Sequence, residues 1–430
     1  AIFILKFPSE TTKKEAACLS AGVFKNKKNK EQIVMKKKWT MFACAAMAAV
    51  MGSALFVSCG GNRNYAENNE KFYIGASGPL TGGAAVYGKA VQNGAQLAVE
   101  EINAAGGLNG TQFEFVIMDD GNDDTRVNSN YASLYEKGMQ VSLGCVTTKP
   151  CLAFKQLAEE DNLFFLTPSA TGDDVVGGGN AYQMCFSDSG QGTAAAEYVK
   201  ENVTESTIGI FYKSDDPYSN GIYQNFISAL GENSGFTFVE TNFTDDTNAD
   251  FSSQINRLKD CKFIFMPIYT EPASLFMMQA NGIISDDATY FGCDGFDGIE
   301  SAFTTTPISE IPQEISYLSH FDATAESGAA KEFIDSYTEK YGKDTLNQFG
   351  AAAYDCVYAI YEAMENAVSA GKEIPVNISP SDLCDILKET FQKEDFTFDG
   401  VTGTGIYWSE DGTVNKNPVK YIVKEKNSAA

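Results

Sequence analysis

From Lys71 onward, short runs rich in β-branched and aromatic residues alternate with longer stretches whose apolar positions recur every three or four residues. "KFYIGA" reads as a strand. "KAVQNGAQLAVEEINAAGG" reads as a helix, with Val91, Ala95, Ala98 and Ile102 on one face and Gly106 and Gly107 ending it. The alternation continues through the strand "FEFVIM", a helix in "RVNSNYASLYEKG", the strand "MQVSLG", a helix in "CLAFKQLAEEDN" and the strand-like "LFFLTPSA". That order predicts parallel β-α-β units. A second series opens with a helix in "SDSGQGTAAAEYVKENV" and runs through "TIGIFY", "YSNGIYQNFISALGENS", "FTFVETNF", "DFSSQINRLKD", "CKFIFMPIY", "PASLFMMQANG" and "ATYFGCDG", strand and helix in turn. Beyond Glu314, "ISYLSHF" reads as a strand, and "AAKEFIDSYTEKYG", "FGAAAYDCVYAIYEAMENAVSAG" and "SDLCDILKETFQK" read as helices. The closing "GVTGTGIYWSEDGTVNKNPVKYIVKE" reads as a β-hairpin around Asp411 and Gly412. The expected fold class is α/β, with two doubly wound, Rossmann-like lobes.

A chain of 430 residues, 43% of them hydrophobic, can bury two such cores. Its net charge of −25 is unevenly spread: 10 Lys against 3 Glu precede Cys59, leaving 22 basic and 54 acidic residues from there on. A balance of about −32 repels phosphate backbones over a Debye length of roughly 8 Å, so nucleic acid is not an expected partner. The basic excess belongs to "MKKKWTMFACAAMAAVMGSALFVSC", in which Met35 and three lysines lead into an apolar stretch that ends in small residues. This is the layout of an export signal over residues 35–58. Its end resembles a bacterial lipoprotein box, with the leading Leu displaced to Leu55, which makes Cys59 the lipid-bearing first mature residue. A permanent single-pass anchor is the alternative, the segment being close to the spanning minimum of about 20 residues. Residues 1–34 lack periodicity and are expected to be upstream translation, and 59–70, small and polar, a flexible tether.

Catalytic chemistry finds little support. The only histidine, His320, allows neither a His-rich metal site nor a triad with a spare, and is expected to be a hydrogen-bonded strand residue. The seven cysteines after Cys59 show no CxxC spacing; Cys145 and Cys151 form the one close pair, zinc is unsupported, and most are expected to be buried packing residues. The loop "SGPLTGGAAVYG", residues 77–88, is neither GxGxxG nor GxxxxGK[ST], and Pro79 removes an N–H that a phosphate would use. It offers instead a strand carboxyl end, where open α/β sheets bind ligands, with Tyr87 nearby. Two further strand ends carry hydroxyls, Thr147 and Thr148 in "LGCVTTKP" and Ser169 and Thr171 in "LTPSAT". Beside helix N-termini, such hydroxyls make a carboxylate site; taken singly they are also ordinary N-caps.

"IGASGPLTGGAAVYGKAVQNGAQLAVEEINAAGGLNG", "VIMDDGNDD", "LTPSAT" and "FDGVTGTGIYWSEDGTV" together resemble the leucine/isoleucine/valine-binding family of type I periplasmic substrate-binding proteins, which feed ABC transporters. The likeness covers Lys71 to Val423. It implies two lobes joined by three hinge strands and closing on a ligand, with 71–187 and 320–398 forming one lobe and 188–319 and 399–425 the other. It also implies roles. Thr147, with Thr148 beside it, faces the ligand α-carboxylate; Ser169 and Thr171 bind the carboxylate and the α-ammonium. Tyr87 matches the tyrosine of the first loop, Tyr218 and Tyr269 come from "DDPYSNG" and "PIYTEPA", and Asp294 in "FGCDG" stands where an acidic residue pairs with the ammonium. Asp294 is shorter than the Glu common in branched-chain binders, and a lone Asp before Gly is also a usual turn residue. No cofactor is expected. The function this implies is a lipid-anchored, monomeric, extracytoplasmic binding protein that delivers an amino acid to an ABC permease and its ATPase. The alternative is a sensor domain of the same fold. A Rossmann-class enzyme ranks third, because the dinucleotide fingerprint is missing.

Overall fold

The computed structural model describes residues 69–231 and 234–426. The expected upstream stretch, export signal, Cys59 and the tether up to residue 68 lie outside the described residues. The first series forms β1 (Phe72–Gly78), α1 (Ala85–Ala104), β2 (Phe113–Asp119), α2 (Val127–Glu136), β3 (Met139–Cys145), α3 (Thr148–Asp161), β4 (Phe165–Thr167) and β5 (Ala181–Gln183). These strands make a parallel sheet in the order β2-β1-β3-β4-β5. Its central strand β3 is buried at every position, as a sheet covered on both faces requires.

The second series forms α4 (Asp188–Asn202), β6 (Thr207–Lys213), α5 (Pro217–Leu230), β7 (Thr237–Phe243), α6 (Ser252–Leu258), β8 (Phe263–Met266), α7 (Thr270–Ala280), β9 (Thr289–Gly292) and β10 (Glu314–Ser319). The chain then returns to the first lobe with α8 (Gly328–Tyr341), α9 (Gln348–Ser369) and α10 (Pro380–Phe391), followed by the short hairpin β11 (Phe398–Gly400) and β12 (Gly403–Ile406). The last strand, β13 (Val419–Lys424), completes a second sheet in the order β13-β10-β9-β8-β6-β7, and it alone runs antiparallel there. Three segments, 184–187, 320–327 and 407–418, thus connect the two lobes.

The structure departs from expectation at the closing hairpin and at His320. The predicted final hairpin keeps its turn at Asp411–Gly412 but has only the bridge Trp408–Val414; its outgoing arm pairs with β10 instead. Residues just past the expected boundary at 398 pack with the first lobe, since Ile406 and Trp408 join its core and the Trp408 Nε1–H donates to Gln183 O at 2.8 Å. His320 lies just beyond β10. Its backbone N–H donates to Gln348 Oε1 at 3.2 Å, but its buried ring meets Phe186 edge-on at 5.1 Å and neither ring nitrogen has a hydrogen-bond partner. All seven cysteines from Cys145 to Cys384 are buried and unpaired, as packing residues.

Candidate functional site

The local chain explains why the loop after β1 is glycine-rich. A side chain on Gly88 would stand 2.0 Å from Pro79 O, so the first turns of α1 can fold back over the loop only with glycine there. That packing sets Tyr87 facing the second lobe. Its hydroxyl donates to Gly295 O at 2.6 Å and accepts from the Thr270 backbone N–H at 2.9 Å, and its ring is wedged edge-on against Phe349 at 5.1 Å.

All eight expected residues, Tyr87, Thr147, Thr148, Ser169, Thr171, Tyr218, Tyr269 and Asp294, line one cavity together with Val146, Gly295 and Phe349. It lies between the carboxyl ends of the strands of both sheets and is tightly closed: the space between its walls comes to about 220 Å³ only when crevices open to solvent are counted, and about 10 Å³ of it admits the centre of a water molecule. A larger groove of about 800 Å³ on the first lobe contains none of these residues. Of its five acids, Glu101 is engaged by the Tyr354 and Tyr358 hydroxyls and Asp355 by the Val401 and Thr402 N–H groups.

One side of the cavity is a set of hydroxyls. Thr147 holds the N-cap position of α3 with extended backbone, yet its side chain does not cap, and Oγ1 is buried without a partner. Thr171 Oγ1 is likewise buried and unpartnered. Thr148 Oγ1 accepts the Gly172 N–H at 3.3 Å, closing the loop after β4 onto the start of α3. Two uncommitted hydroxyls beside the N-terminus of a 14-residue helix suit a carboxylate.

The opposite side is acidic and aromatic. Asp294, 2% exposed, follows β9; its Oδ1 accepts the Tyr218 hydroxyl at 2.7 Å, and its backbone N–H donates to Gln191 Oε1 at 3.0 Å. Burial pushes its carboxyl up to about 7, against the hydrogen bonds from Tyr218 and Gln191. The Tyr218 and Tyr269 rings stack with centroids 4.7 Å apart and planes 8° from parallel, forming a flat wall. Gly295 is glycine because a Cβ there would meet the Tyr218 hydroxyl at 2.6 Å and Ile268 O at 2.8 Å. Asp294 does open a one-turn 3₁₀ helix, Asp294–Phe296, in which its carbonyl accepts the Asp297 N–H at 2.9 Å, and its side chain also lines the cavity.

Sequence reasoning missed Gln191, Phe349, Thr270 and Gly295. Gly295 was within reach as the neighbour of Asp294. Gln191 carried no signal, because its partner is a backbone N–H 103 residues away.

A family profile described as "Periplasmic binding protein" matches residues 71–426. The leucine-, isoleucine-, valine-, threonine- and alanine-binding protein of Pseudomonas aeruginosa is 27% identical over 321 residues, 73% of this chain and 83% of its own length. The Leu/Ile/Val-binding protein BraC3 of Rhizobium johnstonii is 28% identical over 71% of this chain and 85% of its own. Among solved structures, the branched-chain amino acid transporter substrate-binding protein LivJ from Streptococcus pneumoniae, in complex with isoleucine, superposes with a TM-score of 0.70 at 27% identity, covering 83% of this chain and 96% of its own.

Proposed function

Since the chain belongs to the periplasmic binding protein family, in the branched-chain amino acid transporter branch, and is a binding protein and not an enzyme, we propose that it holds a zwitterionic amino acid, branched-chain or related, between its lobes and delivers it to an ABC permease. The observation that carries this reading is the cavity itself. Hydroxyls and a helix N-terminus oppose a buried carboxylate and two stacked tyrosines, so donors face one end of a ligand and an anion with ring faces the other. In this reading Thr147, Thr148 and Ser169 serve the α-carboxylate end, and the Thr171 hydroxyl reaches the ammonium. Asp294 pairs with the α-ammonium, and Tyr87, Tyr218 and Tyr269 shape the walls.

The same reading makes the protein a monomeric lipoprotein, exported by residues 35–58 and tethered through lipid on Cys59. No helix among the described residues is long and apolar enough to cross a membrane. Loss of fatty-acid labelling in Cys59→Ser is the expected outcome; undiminished labelling refutes the anchor.

A thermal-shift screen of the amino acids tests the ligand class. A true ligand at 100 times its Kd stabilises the protein by about 2.7 kcal/mol. No shift with any amino acid would defeat the proposal.

A further inference from the structure

Asp188 opens α4 behind the wall formed by Thr171, Tyr218 and Asp294. It is 2% exposed, and its backbone N–H donates to Thr171 O at 2.7 Å. Its Oδ2 lies over α5, 3.2 Å from where a Cβ on Gly221 would stand, so a side chain at 221 would displace it. Its Oδ1 is buried without a hydrogen-bond partner. The polar side chain beside this carboxylate is the Thr171 hydroxyl, which lines the cavity and is itself short of a completed hydrogen bond.

A threonine hydroxyl has one proton and two lone pairs, so it can accept from an ammonium only if its proton points elsewhere. Asp188 Oδ1 is the open acceptor on that side. The other charged groups facing Asp188 are Asp294, Asp173 and Asp216, all acidic, and the buried Cys185, Cys293 and Tyr269 lie within its field. Burial accordingly favours the protonated acid, while the N-terminus of a 15-residue helix favours the anion. A cation brought into the cavity tips this balance. One turn along the same helix, Gln191 grips the Asp294 N–H, so the first turn of α4 braces both groups that would face an ammonium.

We propose that Asp188 is a positioning residue for the ammonium end of the ligand. Once ionised, it accepts a hydrogen bond from the Thr171 hydroxyl, which turns an Oγ1 lone pair into the cavity, and it adds a second negative charge behind that oxygen, so that the site demands a full positive charge and rejects 2-hydroxy acids. This rests on the amino-acid reading above. Binding then releases the Asp188 proton to solvent.

Calorimetric titration of the parent, Asp188→Asn, Thr171→Val and the double variant tests it, with L-isoleucine and its 2-hydroxy acid counterpart as probes and two buffers of different ionisation enthalpy. The expected results are a loss of roughly tenfold or more for isoleucine in Asp188→Asn, a smaller preference for isoleucine over the hydroxy acid, and fewer protons released. The double variant should bind no worse than Thr171→Val, since the two act as a unit. The melting temperature of Asp188→Asn without ligand should equal or exceed that of the parent, because a buried unpaired acid is removed. Unchanged affinity, additive losses or a lowered melting temperature would each overturn the role. If the parent binds isoleucine and only the variants depart from expectation, this inference alone fails; if the parent binds no amino acid, the functional reading falls first.

Discussion

Asp294 concentrates the electrostatics of the cavity in one side chain. Its carboxyl, raised from 3.8 to about 7 by burial, is largely protonated below neutral pH until a cation arrives. An ammonium needs the ionised form, so affinity should be highest above about pH 7 and fall by up to tenfold per unit below it. The sign for stability is opposite. Without ligand, the folded form binds more protons than the unfolded one between 3.8 and about 7, so this group's contribution declines as pH rises through that window. Asp294→Asn should flatten the pH profile of affinity and cost roughly 2 to 5 kcal/mol, about 30-fold or more. Thr147→Val, which deletes one hydroxyl with no competing partner, should cost roughly 1 to 3 kcal/mol. Calorimetry across the pH range decides both. An Asp294→Asn variant that binds as tightly as the parent would point to a ligand without an amine.

At the scale of elements, α1 and α9 cross where a Cβ on Gly94 would stand 1.9 Å from Gly350 O. Helix propensity alone predicts that Gly94→Ala stabilises α1 by up to about 1 kcal/mol. The crossing predicts the opposite, a loss of roughly 1 to 3 kcal/mol from overpacking. A denaturant midpoint that rises in this variant would contradict the packing seen here. The same contrast shows what was legible in the chain. The periodicity of Val91, Ala95, Ala98 and Ile102 exposed the buried face of α1, but not the carbonyl that excludes a side chain at 94. The three-residue β5 was too short to carry a pattern, and the Asp411–Gly412 turn was read correctly while the partner of its outgoing strand was not. Site residues at strand ends were readable because topology gathers strand ends, whereas Gln191 meets its partner within the second lobe 103 residues further along the chain, and Asp188 meets Thr171 across the lobe boundary, contacts that no local spacing encodes.

For the whole molecule, the deciding place is where the three connections between lobes meet. His320 sits in one, its ring lies edge-on against Phe186 in another, and the charge of Lys416 in the third reaches it; Thr402 bonds the Lys416 ammonium and the Asp355 charge favours it. Burial first, and the Lys416 charge second, hold the imidazole well below its usual 6.5. A rotation of the lobes about these connections that hydrates the ring would return it toward that value. The open form then binds a proton that the closed form cannot. The closed form is therefore unaffected above about pH 6.5 and loses stability as pH falls from there toward the depressed value. Scattering at saturating amino acid should show a smaller radius of gyration than without it, and at about pH 5.5 the parent should reopen further than His320→Phe, which keeps the ring contact with Phe186 but has nothing to protonate. Because both proteins retain Asp294, the loss of ammonium pairing at low pH is common to them, and the difference reports the histidine. As the only histidine in the chain, it also gives a single imidazole resonance, whose titration should move to lower pH when ligand is added. Equal reopening of the two proteins, or a resonance that titrates near 6.5 with and without ligand, would remove His320 from any part in closure.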